Sequence, residues 1–147
     1  MKWAMLVYIA MVSFSLNAAA DVLTVCGESS GYGYYFPGSM VPADSAGMHP
    51  DGVTGGSIQL IRDGDLFDIV YSDTQGARSA RADGFEVVLL GQNPALGEWL
   101  FVAVSPLMTV EHFLFQIPNG NGGVAWGTTR IGAISKSSLY YARCRRP

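Results

Sequence analysis

Residues 57–72 read SIQLIRDGDLFDIVYS. Apolar and polar side chains alternate on both sides of Asp63-Gly64. Ile58 and Leu60 share one face before it; Phe67, Ile69 and Tyr71 share one face after it, with Asp68 on the other. A period of two is that of a strand with one buried side. Asp-Gly between two such runs is the strongest short-range hairpin signal. This stretch therefore predicts an antiparallel hairpin, and the text that follows repeats its grammar.

Asp73 to Gly76 is a second turn and Ala77 to Arg81 a short polar strand. Asp83-Gly84 is a second hairpin signal, leading into FEVVLL at 85–90. Glu98 to Val104 (EWLFVAV) and Val110 to Ile117 (VEHFLFQI) are the most apolar runs. Asn119 to Gly123 is a turn of residues that adopt positive φ at low cost. Gly123 to Arg130 and Ser138 to Cys144 complete the set. The pattern predicts an all-β domain, an antiparallel meander of about eight strands over 58–144. A long meander left flat exposes two sticky edges, so a small barrel or a rolled sandwich is expected. Upstream, residues 27–57 are rich in Gly, Pro and Ser and carry no helical period. They predict an irregular segment with a short strand at Gly33 to Phe36.

The N-terminus has a different composition. Lys2 precedes an uncharged apolar run, Trp3 to Leu16, and Ala18-Ala19-Ala20 offers the small residues a signal peptidase accepts. The apolar run is too short for a spanning helix, which needs about 20 residues. The expectation is a signal peptide over 1–20, followed by a single domain over 21–147 located in the periplasm or secreted. Removing Lys2 takes the formal net charge from −3 to −4. That acidity excludes nucleic acid, which wants a basic face, and no second apolar run implies a membrane after cleavage. The chain is expected to be a monomer.

Cys26 and Cys144 stand near the two ends of the mature part. Outside the cytosol two such cysteines predict one disulfide. The alternative, a metal site, lacks any Cys-x-x-Cys spacing.

Candidate catalytic motifs are thin. Gly27-Glu28-Ser29-Ser30-Gly31 matches G-x-S-x-G, but that motif works only as strand, sharp turn and helix, and GYGYYFPG cannot be that helix. His49 reads as a solvated loop residue and His112 as half-buried at the sheet surface, neither with a partner that would make it a base or ligand. Asp63, Asp65 and Asp68 miss the calcium-loop spacing, because Phe67 occupies the fifth position. No catalytic residue, metal site or cofactor is expected. The distinctive text is aromatic: Tyr32, Tyr34 and Tyr35 lie close together, and Tyr140 and Tyr141 precede Cys144. These five tyrosines are the candidate surface for a sugar ring, a small ligand or an envelope protein. The competing reading has them packing the core.

Cys26-Gly27, Tyr34-Tyr35, the run from Asp51 to Gly56, Arg62-Asp63-Gly64 and Ser137-Ser138-Leu139 leading to Cys144 resemble a family of small exported bacterial proteins of unassigned function with a cysteine near each end. The resemblance implies export and the disulfide, and no catalytic residue. A weaker likeness, carried by Ser30-Gly31-Tyr32-Gly33 and Tyr141-Ala142-Arg143-Cys144, is to periplasmic small-barrel lysozyme inhibitors. The leading expectation is a non-enzymatic exported β domain that binds a protein or small ligand in the cell envelope. The alternatives are an inhibitor of a cell-wall lytic enzyme acting through Ser29 to Phe36, and a small carboxylate-dependent hydrolase.

Overall fold

The structure is a computed structural model that describes residues 20–117 and 122–147. The signal segment, apart from Ala20, and most of the Asn119–Gly123 turn lie outside the described residues. Among these residues the chain forms ten strands: β1 (Asp21–Tyr35), β2 (Gly47–Val53), β3 (Ser57–Asp63), β4 (Leu66–Asp73), β5 (Gly76–Ser79), β6 (Glu86–Asn93), β7 (Glu98–Ser105), β8 (Thr109–Gln116), β9 (Gly122–Arg130) and β10 (Lys136–Arg145). Every pairing is antiparallel and the described residues are all-β, with one 3-10 turn at Ala43–Ser45.

The hairpin that opens the sequence forms with its turn one residue later than read. Asp63 pairs with Leu66, so Gly64 and Asp65 are the central residues. Gly64 takes φ +59°, the left-handed conformation that favours glycine at the first central position of a tight hairpin.

The strand order is β5-β4-β3-β1-β10-β9-β8-β7-β6, with β2 also on β1. β1 is the hub. One of its edges carries β3 along Asp21–Cys26 and β2 along Ser29–Tyr35, and the other carries β10 from Val25 to Tyr35. The stretch 27–57 is thus not an irregular segment: nine of its residues complete β1 and seven more form β2. Gly31 is what makes the tight β1–β10 pairing possible, since a Cβ there would fall 1.9 Å from the Leu139 carbonyl oxygen. Glycine reads as flexibility in a sequence, and here it is spent on close backbone approach.

Asp83-Gly84 is not a hairpin either. β5 pairs only with β4, and β6 only with β7. These two strands, adjacent in sequence, are the opposite ends of the sheet, and residues 80–85 carry the chain across the gap between them. The sheet therefore curls into a half-barrel that brings β4 near β6. Arg81 stitches the seam: Nε donates to the Phe67 carbonyl on β4 at 2.6 Å, and Nη2 to the Val87 carbonyl on β6 at 2.8 Å. The backbone N–H of Arg81 donates to Asp68, which also accepts from Ser79. Asp68 is a seam residue, which explains its acidity without any ion.

The interior is filled from the apolar strands. Phe101, Phe113, Phe115, Leu60, Ile69 and Val124 are fully buried, each contributing about 1.5–3 kcal/mol by leaving water. Trp126 lies between Phe113 (ring centroids 5.9 Å apart, 11° between planes) and Tyr140 (4.3 Å, 29°). Cys26 and Cys144 sit directly opposite each other on β1 and β10 and form the disulfide. It locks the hub strand to its neighbour at the register the two strands already share.

Candidate functional site

A β-bulge decides which tyrosines face inward. On β1 three steps, Cys26 to Ser29, match two on β10, Cys144 to Ala142. The extra residue resets the alternation. Thr24 and Cys26 face the interior before it, and Ser29, Gly31, Gly33 and Tyr35 after it, leaving Tyr32 and Tyr34 outside. On β10, Tyr140 is buried and Tyr141 exposed. The five candidate tyrosines are therefore two groups. Tyr35 and Tyr140 converge inside; Tyr32, Tyr34 and Tyr141 do not join them.

Tyr35 and Tyr140 converge on Asp51 of β2. Its Oδ2 accepts from Lys136 Nζ (2.7 Å), Tyr140 Oη (2.6 Å), Tyr35 Oη (3.1 Å) and Ser138 Oγ (3.2 Å). Its Oδ1 accepts from the Gly52 backbone N–H at 2.9 Å. Burial pushes the Asp51 carboxyl up, but the hydrogen bonds from Lys136, Tyr140 and Tyr35 and the Lys136 charge outweigh it and hold the group down at about 2. Burial opposes the Lys136 charge, and Asp51 and Tyr140 more than restore it, raising the ammonium above its ordinary value. Burial and its bond to Asp51 raise the Tyr140 phenol. Gly33 makes room for the cluster: a Cβ there would fall 2.5 Å from Ser138 Oγ and 3.1 Å from Asp51 Oδ2.

This cluster forms one wall of a cavity of about 460 Å³ at one end of the barrel. Ile58, Trp126 and Tyr140 supply buried wall, and Tyr71, Glu111 and Thr128 face it from β4, β8 and β9. Asp73, Arg78, Asp83 and Arg130 stand exposed at the rim. Tyr71 donates its phenolic hydrogen to Glu111, and Thr128, directly opposite Glu111 on β9, bonds the same carboxyl. Burial raises the Glu111 carboxyl above the usual range despite both bonds. Burial and the neighbouring Glu111 charge push the Tyr71 phenol far up, so it remains a donor. The indole N–H of Trp126 is buried and has no acceptor among the described residues. No group of three metal-ligating side chains occurs among the described residues.

Of the residues around this candidate site, sequence reading singles out Tyr35 and Tyr140 and does not single out Asp51, Lys136, Tyr71, Glu111 or Trp126. One signal was available: Lys136 is the sole lysine after Lys2. The other candidates lie elsewhere. His49 is on β2, not in a loop, with its ring Nε2 3.1 Å from the Ser45 carbonyl oxygen. His112 is exposed, not half-buried, and its ring covers Gly127, where a Cβ would meet Cε1 at 2.2 Å. Ser29 is buried in the middle of β1 with no helix after it, so the G-x-S-x-G match builds no nucleophile turn.

Tyr32, Tyr141 and their neighbours belong to an outer band instead. The cross-strand row Val88–Val102–His112–Gly127–Leu139–Tyr32 and the row Leu100–Leu114–Ala125–Tyr141–Ser30 contain no Asp, Glu, Lys or Arg. No helix among the described residues is long and apolar enough to cross a membrane. Comparison with protein-family models, with curated proteins and with solved structures finds no match.

Proposed function

We propose that this chain is an exported, non-enzymatic β-barrel domain of the cell envelope that binds a small ligand in the cavity at its end. The observation that carries the reading is the cavity itself: about 460 Å³, with aromatic walls and a few polar groups already held in place. That is the size and lining of a pre-formed small-molecule site. The disulfide and the composition of residues 1–20 support export.

A second reading, a carboxylate-dependent hydrolase, has one observation in its favour. Asp51 is held ionised and Glu111 is raised, and both line the cavity. Pairs pushed apart in this way mark acid and base in many enzymes. Asp51, however, accepts four hydrogen bonds on Oδ2 and one on Oδ1, and these hold its carboxyl down at about 2, which makes it a weak base and a weak nucleophile. For an inhibitor role, the segment Ser29 to Tyr35 is a strand paired on both edges and not a projecting loop.

The test is direct. The protein purified from 21 onward is incubated with envelope extract, washed and denatured, and the released small molecules are identified by mass spectrometry. Thr109→Trp, on the same face of β8 as Glu111 and lining the cavity, should abolish the capture of a compound that wild type retains. If wild type releases no compound, or folded Thr109→Trp releases the same compound in the same amount, the cavity is not the site.

A further inference from the structure

Of the four carboxylates that line the cavity, two have a basic partner. Asp51 is paired with Lys136, and Asp73 with Arg78 at 4.0 Å. Asp83 stands at the exposed rim. Glu111 is different: it is partly buried in the wall, and its described partners, Tyr71 and Thr128, are both neutral. A carboxylate withdrawn from water without a counter-charge is costly to keep, and such groups are normally paired or neutralised. Tyr71 and Thr128 nevertheless orient it, so its position is fixed before anything binds. Of the aromatic side chains that line the cavity, Trp126 lies between Phe113 and Tyr140, and Lys136 Nζ lies 5.8 Å from the Tyr140 ring centroid, so Tyr71, bonded to Glu111, is the ring beside the carboxylate. Aromatic faces and a carboxylate attract the same kind of guest, a cation with apolar surface.

We infer that the cavity selects a small organic ammonium ion, with Glu111 as its counter-charge and Tyr71 beside its apolar body. The inference rests on the cavity reading above and names the ligand class for it. An ammonium ion completes the pair that the protein leaves open. An anion would instead meet Glu111 at close range; of the three basic side chains that line the cavity, Lys136 is paired with Asp51, Arg78 with Asp73, and Arg130 stands at the exposed rim.

The test uses isosteric pairs that differ in charge. Choline and 3,3-dimethylbutan-1-ol have the same shape with and without the positive charge; benzylamine, benzyl alcohol and benzoate extend the comparison to a primary amine and an anion. Each is titrated calorimetrically into wild type, Glu111→Gln and Tyr71→Phe, with far-UV circular dichroism to verify folding. At least one cation should bind wild type about tenfold or more tighter than its neutral partner. Glu111→Gln should remove that preference, and Tyr71→Phe, which keeps the carboxylate, should preserve it. If the neutral compounds or benzoate bind as well as the cations, or if Glu111→Gln retains the preference, the ammonium inference is overturned and the cavity reading stands. Should none of the five compounds bind, the inference fails, while the extract capture above decides separately on the cavity.

Discussion

Asp51 and Lys136 form an ion pair of 2.7 Å although they belong to strands on opposite edges of β1. Asp51 is on β2 and Lys136 on β10, and the hub strand runs between them. They meet over Gly33, where a Cβ would fall 3.1 Å from Asp51 Oδ2. Removing either partner therefore has a defined consequence. Lys136→Met should cost about 2 kcal/mol, because it strands a half-buried carboxylate. Gly33→Ala should cost about 1–3 kcal/mol by forcing Ser138 and Asp51 aside. Guanidinium unfolding of each variant checks both values; wild-type midpoints would mean the cluster is not built as described.

The carboxylates of Asp51 and Glu111 give opposite pH effects. Asp51 is held at about 2 in the folded chain against an ordinary 3.8. Its stabilisation is full above about pH 4 and is lost as pH falls toward about 2, an effect on the order of 2 kcal/mol. Glu111 is raised above 4.5. Its contribution is full below that value and is lost as pH rises through the raised one. Glu111→Gln should therefore be more stable than wild type at pH 7, with the advantage vanishing near pH 4. Thermal unfolding of the two proteins between pH 3 and pH 8 checks the sign. An advantage that grows on acidification would contradict it.

Arg81 holds the barrel seam through two backbone carbonyls. Arg81→Ala should cost about 3 kcal/mol, since hydrogen bonds to a charged donor contribute about 1.5–3 kcal/mol each. Lysine cannot span both carbonyls with one nitrogen, so Arg81→Lys should recover at most part of the loss. Hydrogen exchange should localise the effect, with amides of β5 and β6 exchanging faster and those of β9 and β10 unchanged. Uniform acceleration would mean that the seam does not open by itself.

The disulfide spans 118 positions. In the chain-entropy account a loop of that size stabilises by about 4–5 kcal/mol. Reduction, or a double Cys26→Ala, Cys144→Ala variant, should lower the denaturation midpoint accordingly. The secreted protein should also begin at Asp21, with an intact mass two hydrogens below that of the reduced chain. A retained residue 1–20 segment or two reactive thiols would refute the export reading.

The exposed tyrosines supply a control. Tyr34→Ala should change stability by no more than about 0.5 kcal/mol, as expected of a surface side chain. Tyr140→Phe should cost about 1–2 kcal/mol by removing a hydrogen bond to an ionised Asp51. Equal effects at the two positions would mean that Tyr34 and Tyr140 do not face opposite sides of the barrel.

By itself the sequence determined the strands whose period is two and the hairpin at 57–72, because alternation and a glycine turn are local properties. It also determined the disulfide partners, since only two cysteines exist. It could not place β1. Nothing in GESSGYGYY shows that those glycines permit close strand approach, or that a single bulge after Cys26 turns Tyr35 inward and Tyr32 and Tyr34 outward. Nor could it see that the sheet curls until β4 approaches β6, because that contact is between distant strands and depends on the accumulated curl. The candidate site was the least legible part. Asp51, Tyr71, Glu111, Trp126 and Lys136 come from five strands, and only the rolled sheet brings them around one cavity.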